Sequence, residues 1–241
     1  MIGWRARLGF LLPPGNPTVE PEMIALAPAG VSLHFHRMFA RGATGSLEGQ
    51  NERNRMMVER IDDSIELLAM VNPDVIVVAH TATSYHLGRQ GEADLLDRLQ
   101  KSTGTRVVTA FGAVLRALER LNVRRLALGT PYSPDTTEQG KVHLEAHGLQ
   151  VVNFANLPGV TNIYDETAER AYRLARMVDR EDAEAVFLSG TGLPTVPVLE
   201  LLEQDLGKPV ISSASAMMWH ALRLTGVRQL IPGYGRLLTL S

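Results

Sequence analysis

Short apolar runs alternate along this chain with longer stretches whose apolar residues recur every three or four positions. The runs Arg7–Leu12, Val31–Phe39, Val75–Ala79, Val107–Thr109, Leu126–Gly129, Val151–Phe154, Val186–Ser189 and Val210–Ser212 predict strands. The stretches Thr18–Leu26, Glu48–Val71, Glu92–Gln100, Ala113–Leu121, Thr136–His147, Glu166–Val178, Val196–Asp205 and Ala216–Leu224 predict helices. Most of the strand runs are continuously apolar, as expected of a sheet covered by helices on both faces. Regular alternation of strand and helix predicts an α/β fold with parallel sheets.

One phrase is written twice. Gly104–Leu118 reads GTRVVTAFGAVLRAL and Gly207–Leu222 reads GKPVISSASAMMWHAL; each continues to Val-Arg-x-Leu, at Val123–Leu126 and Val227–Leu230. A repeat of about one hundred residues exceeds solenoid periods and predicts two similar lobes with a cleft between them. The predicted division is residues 1–112 with 226–241 in the N-terminal lobe and 113–225 in the C-terminal lobe.

Composition removes several function classes. Of 241 residues, 45% are hydrophobic and 21% charged, with a formal net charge of −2, so neither nucleic acid nor an anionic membrane is an expected partner. Cysteine is absent, which rules out disulfides, thiolate metal sites and a cysteine nucleophile, and fits a cytoplasmic protein. The apolar run Leu8–Pro14 is too short to span a bilayer, and no signal segment is evident at the start. Oligomeric state is not legible, though a homo-oligomer is compatible with the sequence.

In open parallel α/β sheets, ligands sit beyond the carboxyl ends of strands. Those ends lead here into Pro13–Thr18 (PPGNPT), His80–Tyr85 (HTATSY), Gly129–Ser133 (GTPYS) and Ser189–Thr195 (SGTGLPT). All four are rich in Gly, hydroxyl and amide groups and poor in acids. Such segments present N–H and O–H donors at helix N-termini, where anions are favoured, although each residue taken singly also serves as a turn or cap. The ligand class they predict is a small carboxylic or dicarboxylic acid. A P-loop is absent, and Gly190-Thr191-Gly192 lacks the third glycine of a dinucleotide fingerprint. His143 and His147 lie four apart within H-L-E-A-H and are expected as two exposed histidines; no metal is expected. His34 and His36 are expected on a polar sheet face, and Glu52–Arg60 as a solvated helix face. Glu20 and Glu22 are assigned to the first helical turn after a Thr18 cap. Arg37 or Arg41 is a candidate to meet a second carboxylate, with a surface position equally open.

Several segments resemble known families. Asn16–Glu22 (NPTVEPE) resembles a segment of maleate cis–trans isomerases. Thr83-Ser84 after an apolar strand, Tyr132 after Gly-Thr-Pro, SGTGL at Ser189–Leu193, SSASAMMW at Ser212–Trp219 and PGYGR at Pro232–Arg236 resemble arylmalonate decarboxylases. Both belong to the aspartate/glutamate racemase superfamily. The resemblance implies two Rossmann-like lobes related by a pseudo-two-fold axis, an active site in the cleft, and no cofactor. It implies that Thr83, Ser84 and Tyr132 form a dioxyanion hole with backbone N–H groups near Thr191 and Gly192. Asn16, beside Pro14, would contact a substrate carboxylate, and His80 flanks the site as a further catalytic candidate.

These families place cysteine at one or both of two symmetry-related positions beyond the third strand of each lobe. Here the positions read Ala82 and Gly190. Racemisation needs a base and an acid on opposite faces, and isomerisation by that route needs a nucleophile; both lose their central group. Decarboxylation of a malonate-type acid needs donors for a developing enediolate, and those remain. The expected function is therefore a cofactor-independent decarboxylase-like lyase. The alternatives are a maleate-type isomerase and a non-catalytic carboxylate-binding protein.

Overall fold

The computed structural model describes residues 2–42 and 46–241. Strands β1 (Ala6–Leu12), β2 (Val31–Arg37), β3 (Val75–Val78) and β4 (Val107–Thr109) form a parallel sheet in the order β2-β1-β3-β4. Strands β5 (Arg125–Thr130), β6 (Gln150–Asn156), β7 (Ala185–Leu188) and β8 (Val210–Ser212) repeat that order as β6-β5-β7-β8, also parallel. The two sheets are the predicted lobes. The apolar strands β3 and β7 are buried throughout, as continuous hydrophobic runs require.

Each sheet turns one face to its own helices. In the first, α2 (Leu47–Glu59), α3 (Ile61–Ala69) and α4 (Thr81–Thr103) cover a core that includes Leu11, Met57, Ile65, Val78 and Leu99. In the second, α7 (Ala168–Val178) and α8 (Leu199–Leu206) cover Leu174, Val186, Leu188 and Leu202. The opposite faces share one core, where Phe10 and Val77 of the first sheet meet the same cluster as Leu128, Phe187 and Ile211 of the second. Helices α1 (Val19–Leu26) and α6 (Pro134–Glu145) flank it.

The twice-written phrase forms the seam between the lobes. It yields α5 (Ala110–Arg120) and α9 (Ser213–Leu224), which make the most extensive helix–helix contact in the molecule. Their buried faces are rich in alanine: Ala110, Ala113 and Ala117 on α5, and Ala214, Ala216 and Ala221 on α9. Small side chains let the two backbones approach closely, and the equivalent capping residues Thr109 and Ser212 start both helices. The C-terminal segment touches both lobes, since Arg5 donates to Gln229 while Glu203 accepts from the Arg236 N–H.

Two predicted helices change most. The stretch Glu48–Val71 is two helices, broken at Arg60 with φ −114° and ψ 17°. The helix expected from Glu92 begins at Thr81, so His80–Tyr85 is not a loop; Gly88, with φ 67°, interrupts it. Thr, Ala and Ser in this first turn have no strong helical preference, but their complete burial overrides local propensity. Among the described residues no helix is long and apolar enough to cross a membrane.

Because the seam is packed with alanine, Ala117→Leu is expected to destabilise the fold by about 1–3 kcal/mol through overpacking. Urea denaturation followed by circular dichroism checks this, with a stability equal to that of the parent counting against the seam as described.

Candidate active site

The carboxyl ends of the four central strands meet at the inter-lobe boundary, and hydrogen bonds fix which residues are mates. Leu8–Leu11 pairs with Val75–Val78, as Leu126–Gly129 pairs with Ala185–Leu188. The Ala79 N–H then donates to Leu11 O at 2.7 Å, and the Ser189 N–H to Gly129 O at 2.9 Å. The Thr83 N–H bonds His80 O, and the Leu193 N–H bonds Gly190 O, both at 3.2 Å. His80 is therefore the mate of Gly190, and Thr81 of Thr191. The expected pairing of Ala82 with Gly190 is corrected by two residues.

The same shift reassigns the hydroxyls. Thr81 is fully buried, and its Oγ1 lies 2.9 Å from Ser213 Oγ across the boundary. The Gly190 N–H donates to the same Ser213 Oγ at 3.3 Å. Tyr85 OH lies 2.8 Å from Ser189 Oγ. The Tyr132 ring sits edge-on to Tyr85 with centroids 6.4 Å apart. Burial foremost, with Tyr85 and Tyr164 nearby, drives the Tyr132 phenol far above its ordinary pKa against the hydrogen bonds of Ser189 and Thr81. Burial raises Tyr85 likewise. Both phenols stay protonated, as donors rather than bases.

Thr83 and Ser84, expected beside Tyr132, are engaged within the first lobe. Thr83 Oγ1 lies 2.8 Å from His80 Nδ1, and Ser84 Oγ donates to Glu92 at 2.6 Å. Glu92 also accepts from Thr109 and meets His143 Nε2 at 3.4 Å. Burial pushes the Glu92 carboxyl up, but His143, Ser84 and Thr109 together hold it below the usual range. His143, expected on an exposed face, is thus buried at the boundary between α4 and α6, because it partners this carboxylate. Burial lowers the pKa of His80 to about 4, leaving a neutral imidazole, and its Nε2 is buried without a partner among the described residues. Ala82 borders a cleft of about 550 Å³ lined also by His86, Asp135 and Gln139.

Around this centre the lobes are clamped. Asn16 Oδ1 accepts from the N–H groups of Thr18 (2.8 Å) and Val19 (3.0 Å), so Asn16 caps α1 in place of Thr18. Its Nδ2 donates to Thr191 O at 3.1 Å, and Thr18 donates to Gly192 O at 3.1 Å. Thr191 Oγ1 donates to Ala79 O at 3.0 Å. Glu22 Oε1 accepts from the N–H groups of Thr195 (2.6 Å) and Val196 (2.7 Å) in the opposite lobe. Arg37 is not available to a second carboxylate: it pairs with Glu20 and donates to the carbonyls of Pro13, Pro14 and Asn16. Arg41 lies over the Phe39 ring, 5.4 Å from its centroid.

A family model described as arylmalonate decarboxylase matches residues 8–238. The chain belongs to the arylmalonate decarboxylase family. An arylmalonate decarboxylase of Bordetella bronchiseptica is 30% identical over 91% of this chain and 94% of its own length. A crystal structure of arylmalonate decarboxylase superposes with a TM-score of 0.81 at 26% identity, covering 98% of this chain and all of that one. The Nocardia farcinica maleate cis-trans isomerase, a cysteine-to-serine mutant with a covalently bound succinylcysteine intermediate, superposes at 0.87 with 28% identity, covering 97% and 98%. This member of the arylmalonate decarboxylase family thus shares its fold with enzymes named for two reactions, and it has no cysteine.

Sequence reasoning misses Thr81 and Ser213, and it notes Tyr85 and Ser189 beside the two family positions without assigning them a role. The signal was in the repeat, which extended to the third strands lays Val78-Ala79-His80-Thr81 on Leu188-Ser189-Gly190-Thr191.

Position 190 is built for glycine. Its φ is +107°, and a Cβ there would lie 2.9 Å from the ring carbons of Pro131. Gly190→Cys is expected to cost about 1–3 kcal/mol of stability, whereas Ala82→Cys, beside the open cleft, stays near the parent. Equal melting of the two variants would contradict this. Burial raises the Glu22 carboxyl from 4.5 to about 7, outweighing its bonds to Val196 and Thr195. The folded state holds that proton where the unfolded chain has released it. Glu22 therefore contributes stability below pH 4.5 that is lost, by about 3 kcal/mol, as pH rises through 7. Denaturation from pH 4 to 8 is expected to show this slope in the parent and not in Glu22→Gln.

Proposed function

We propose that this protein is a cofactor-independent decarboxylase of small malonate-type acids. The observation that carries the reading is the cluster of buried hydroxyls, Thr81, Tyr132, Ser189 and Ser213, held between the two lobes in a chain with no thiol. Breaking the bond to one carboxylate releases carbon dioxide and leaves its electron pair on the remaining fragment as an enediolate. The charge of that fragment grows on the two oxygens of the retained carboxylate. Fixed O–H and N–H donors in a site shielded from water stabilise such charge strongly, because they need no reorganisation as it develops. A proton then adds to carbon, so that a malonate and one proton give a monocarboxylate and carbon dioxide. His80, at the mate of Gly190, places a buried imidazole beside this cluster of donors.

The isomerase reading has less support. The Nocardia farcinica isomerase is described with a succinylcysteine intermediate; here no cysteine exists to form one, and a side chain at position 190 would be strained against Pro131.

Carbon dioxide release from methylmalonate and phenylmalonate tests the proposal. Thr81→Val and Tyr132→Phe are each expected to lower kcat by roughly a hundredfold or more, with unchanged circular dichroism. Full activity in both variants would remove the donors from the mechanism. If no malonate is turned over while carboxylates still raise the Tm, the protein is a binding module.

A further inference from the structure

One side chain at the inter-lobe boundary has a polar atom left over. Ala79 O accepts from Thr191 Oγ1 at 3.0 Å, and Thr81 Oγ1 lies 2.9 Å from Ser213 Oγ, so residues 79 and 81 both bond to the second lobe. His80 stands between them and is buried. These bonds on either side fix its imidazole at the boundary, beside the hydroxyl cluster.

One edge of that ring is engaged. Nδ1 lies 2.8 Å from Thr83 Oγ1, one turn on in α4. The two nitrogens of an imidazole point away from each other, so Nε2 faces away from Thr83. It is buried with no hydrogen-bond partner among the described residues, a costly state where the neighbouring hydroxyls satisfy one another. The other ionisable groups packed around this centre are committed or unsuited. Burial holds the phenols of Tyr85 and Tyr132 protonated. Glu92 and His143 pair with each other between α4 and α6, and Glu22 of α1 is held by the N–H groups of Thr195 and Val196.

We propose that Nε2 of His80 hands a proton to carbon after carbon dioxide leaves, and that Thr83 is the positioning residue that holds its ring. The identity of the reaction rests on the decarboxylase reading. The proton enters with the ligand. Burial lowers the free ring to about 4, so it waits neutral at pH 7. A dicarboxylate beside it favours the charged ring and draws one proton from solvent. When the bond to the departing carboxylate breaks, its electron pair stays on the enediolate. That pair forms the new C–H bond with the proton on Nε2, and the ring returns to neutral with its Nδ1–H donated to Thr83 Oγ1. A malonate dianion and one proton thus give a monocarboxylate anion and carbon dioxide.

The test uses the full chain and reads binding and turnover separately. Calorimetry of succinate binding at pH 6.5, in buffers of different ionisation enthalpy, counts the protons taken up. The parent is expected to take up at least about half a proton more than His80→Gln or His80→Asn; any change at Glu22 enters all three alike. Both variants are expected to lower kcat on phenylmalonate at least about a hundredfold, with unchanged circular dichroism. Thr83→Val is expected to lower kcat about tenfold or more through a misplaced ring and to reduce the proton uptake, and Thr83→Ser to restore both. Equal uptake in the parent and the His80 variants overturns the proposal. So does carbon dioxide release that His80→Gln leaves untouched, while the decarboxylase reading then stands. His80-dependent uptake with no carbon dioxide from any malonate removes the decarboxylase reading, and with it the transfer to carbon, and leaves His80 as the proton-carrying group of an anion site.

Discussion

Hydrogen bonds that cross between the lobes at the carboxyl ends of the strands are the constraint on which the rest of this structure depends. Asn16 uses its carbonyl oxygen to start α1 and its amide nitrogen to hold Thr191 of the opposite lobe. Thr18, Glu22, Thr81 and Tyr85 each add a further bond across the same boundary. An inter-lobe surface lined by backbone N–H and C=O groups would be expensive to bury unpaired. Here each lobe supplies the partners for the other, and the alanine-rich α5–α9 seam lets them come within reach. The site is the place where this exchange is densest, so the groups that could meet a ligand are the same groups that hold the lobes together.

That identity explains why hydroxyls fit this site. A hydroxyl both donates and accepts, so Thr81, Ser213, Ser189 and Tyr85 satisfy one another and can still turn a proton toward an anion. Their burial keeps the phenols of Tyr85 and Tyr132 neutral at any ordinary pH. The result is a nest of neutral donors in a chain with no thiol. Under the proposed decarboxylation, its task would be to stabilise charge that appears during the reaction.

The fold was legible because its signals are local and repeated. Continuous apolar strands, a hundred-residue period and paired Val-Arg-x-Leu segments reach the two parallel sheets, whereas the strand order is seen only in the structure. The site was legible only by region. Thr83-Ser84 attracts attention as a hydroxyl pair after a strand, yet helical geometry from Thr81 carries these two side chains to His80 and Glu92 instead. Which turn of a helix faces a cleft depends on where the helix begins, and a buried first turn of Thr-Ala-Thr-Ser carries no clear start signal. His143 was misjudged for a related reason: its partner Glu92 is 51 residues away and invisible to any local pattern. Arg37, equally open from sequence to a carboxylate contact or a surface position, is a strut for the Pro13–Asn16 segment, a role set by three carbonyls that no sequence motif announces.

The mated positions also show how far the molecule has left its own symmetry. Backbone hydrogen bonding treats residues 80 and 190 alike, with the same bond three residues on in each lobe, although φ is −146° at His80 and +107° at Gly190. The side chains do not: one position carries a neutral imidazole whose Nε2 has no partner among the described residues, the other a glycine at φ +107°, where any side chain is strained. Under the proposed decarboxylation, a planar enediolate lying between the mates would meet an imidazole ring from one side and bare backbone from the other. Two-faced chemistry such as racemisation needs an acid and a base opposed across the carbon, and this pair of mates supplies neither arrangement. One-faced protonation needs only a single ordered donor. Under the proposed decarboxylation, a prochiral malonate would emerge as one enantiomer, because only position 80 carries a ring able to hold a proton, and its contact with Thr83 fixes that ring in place.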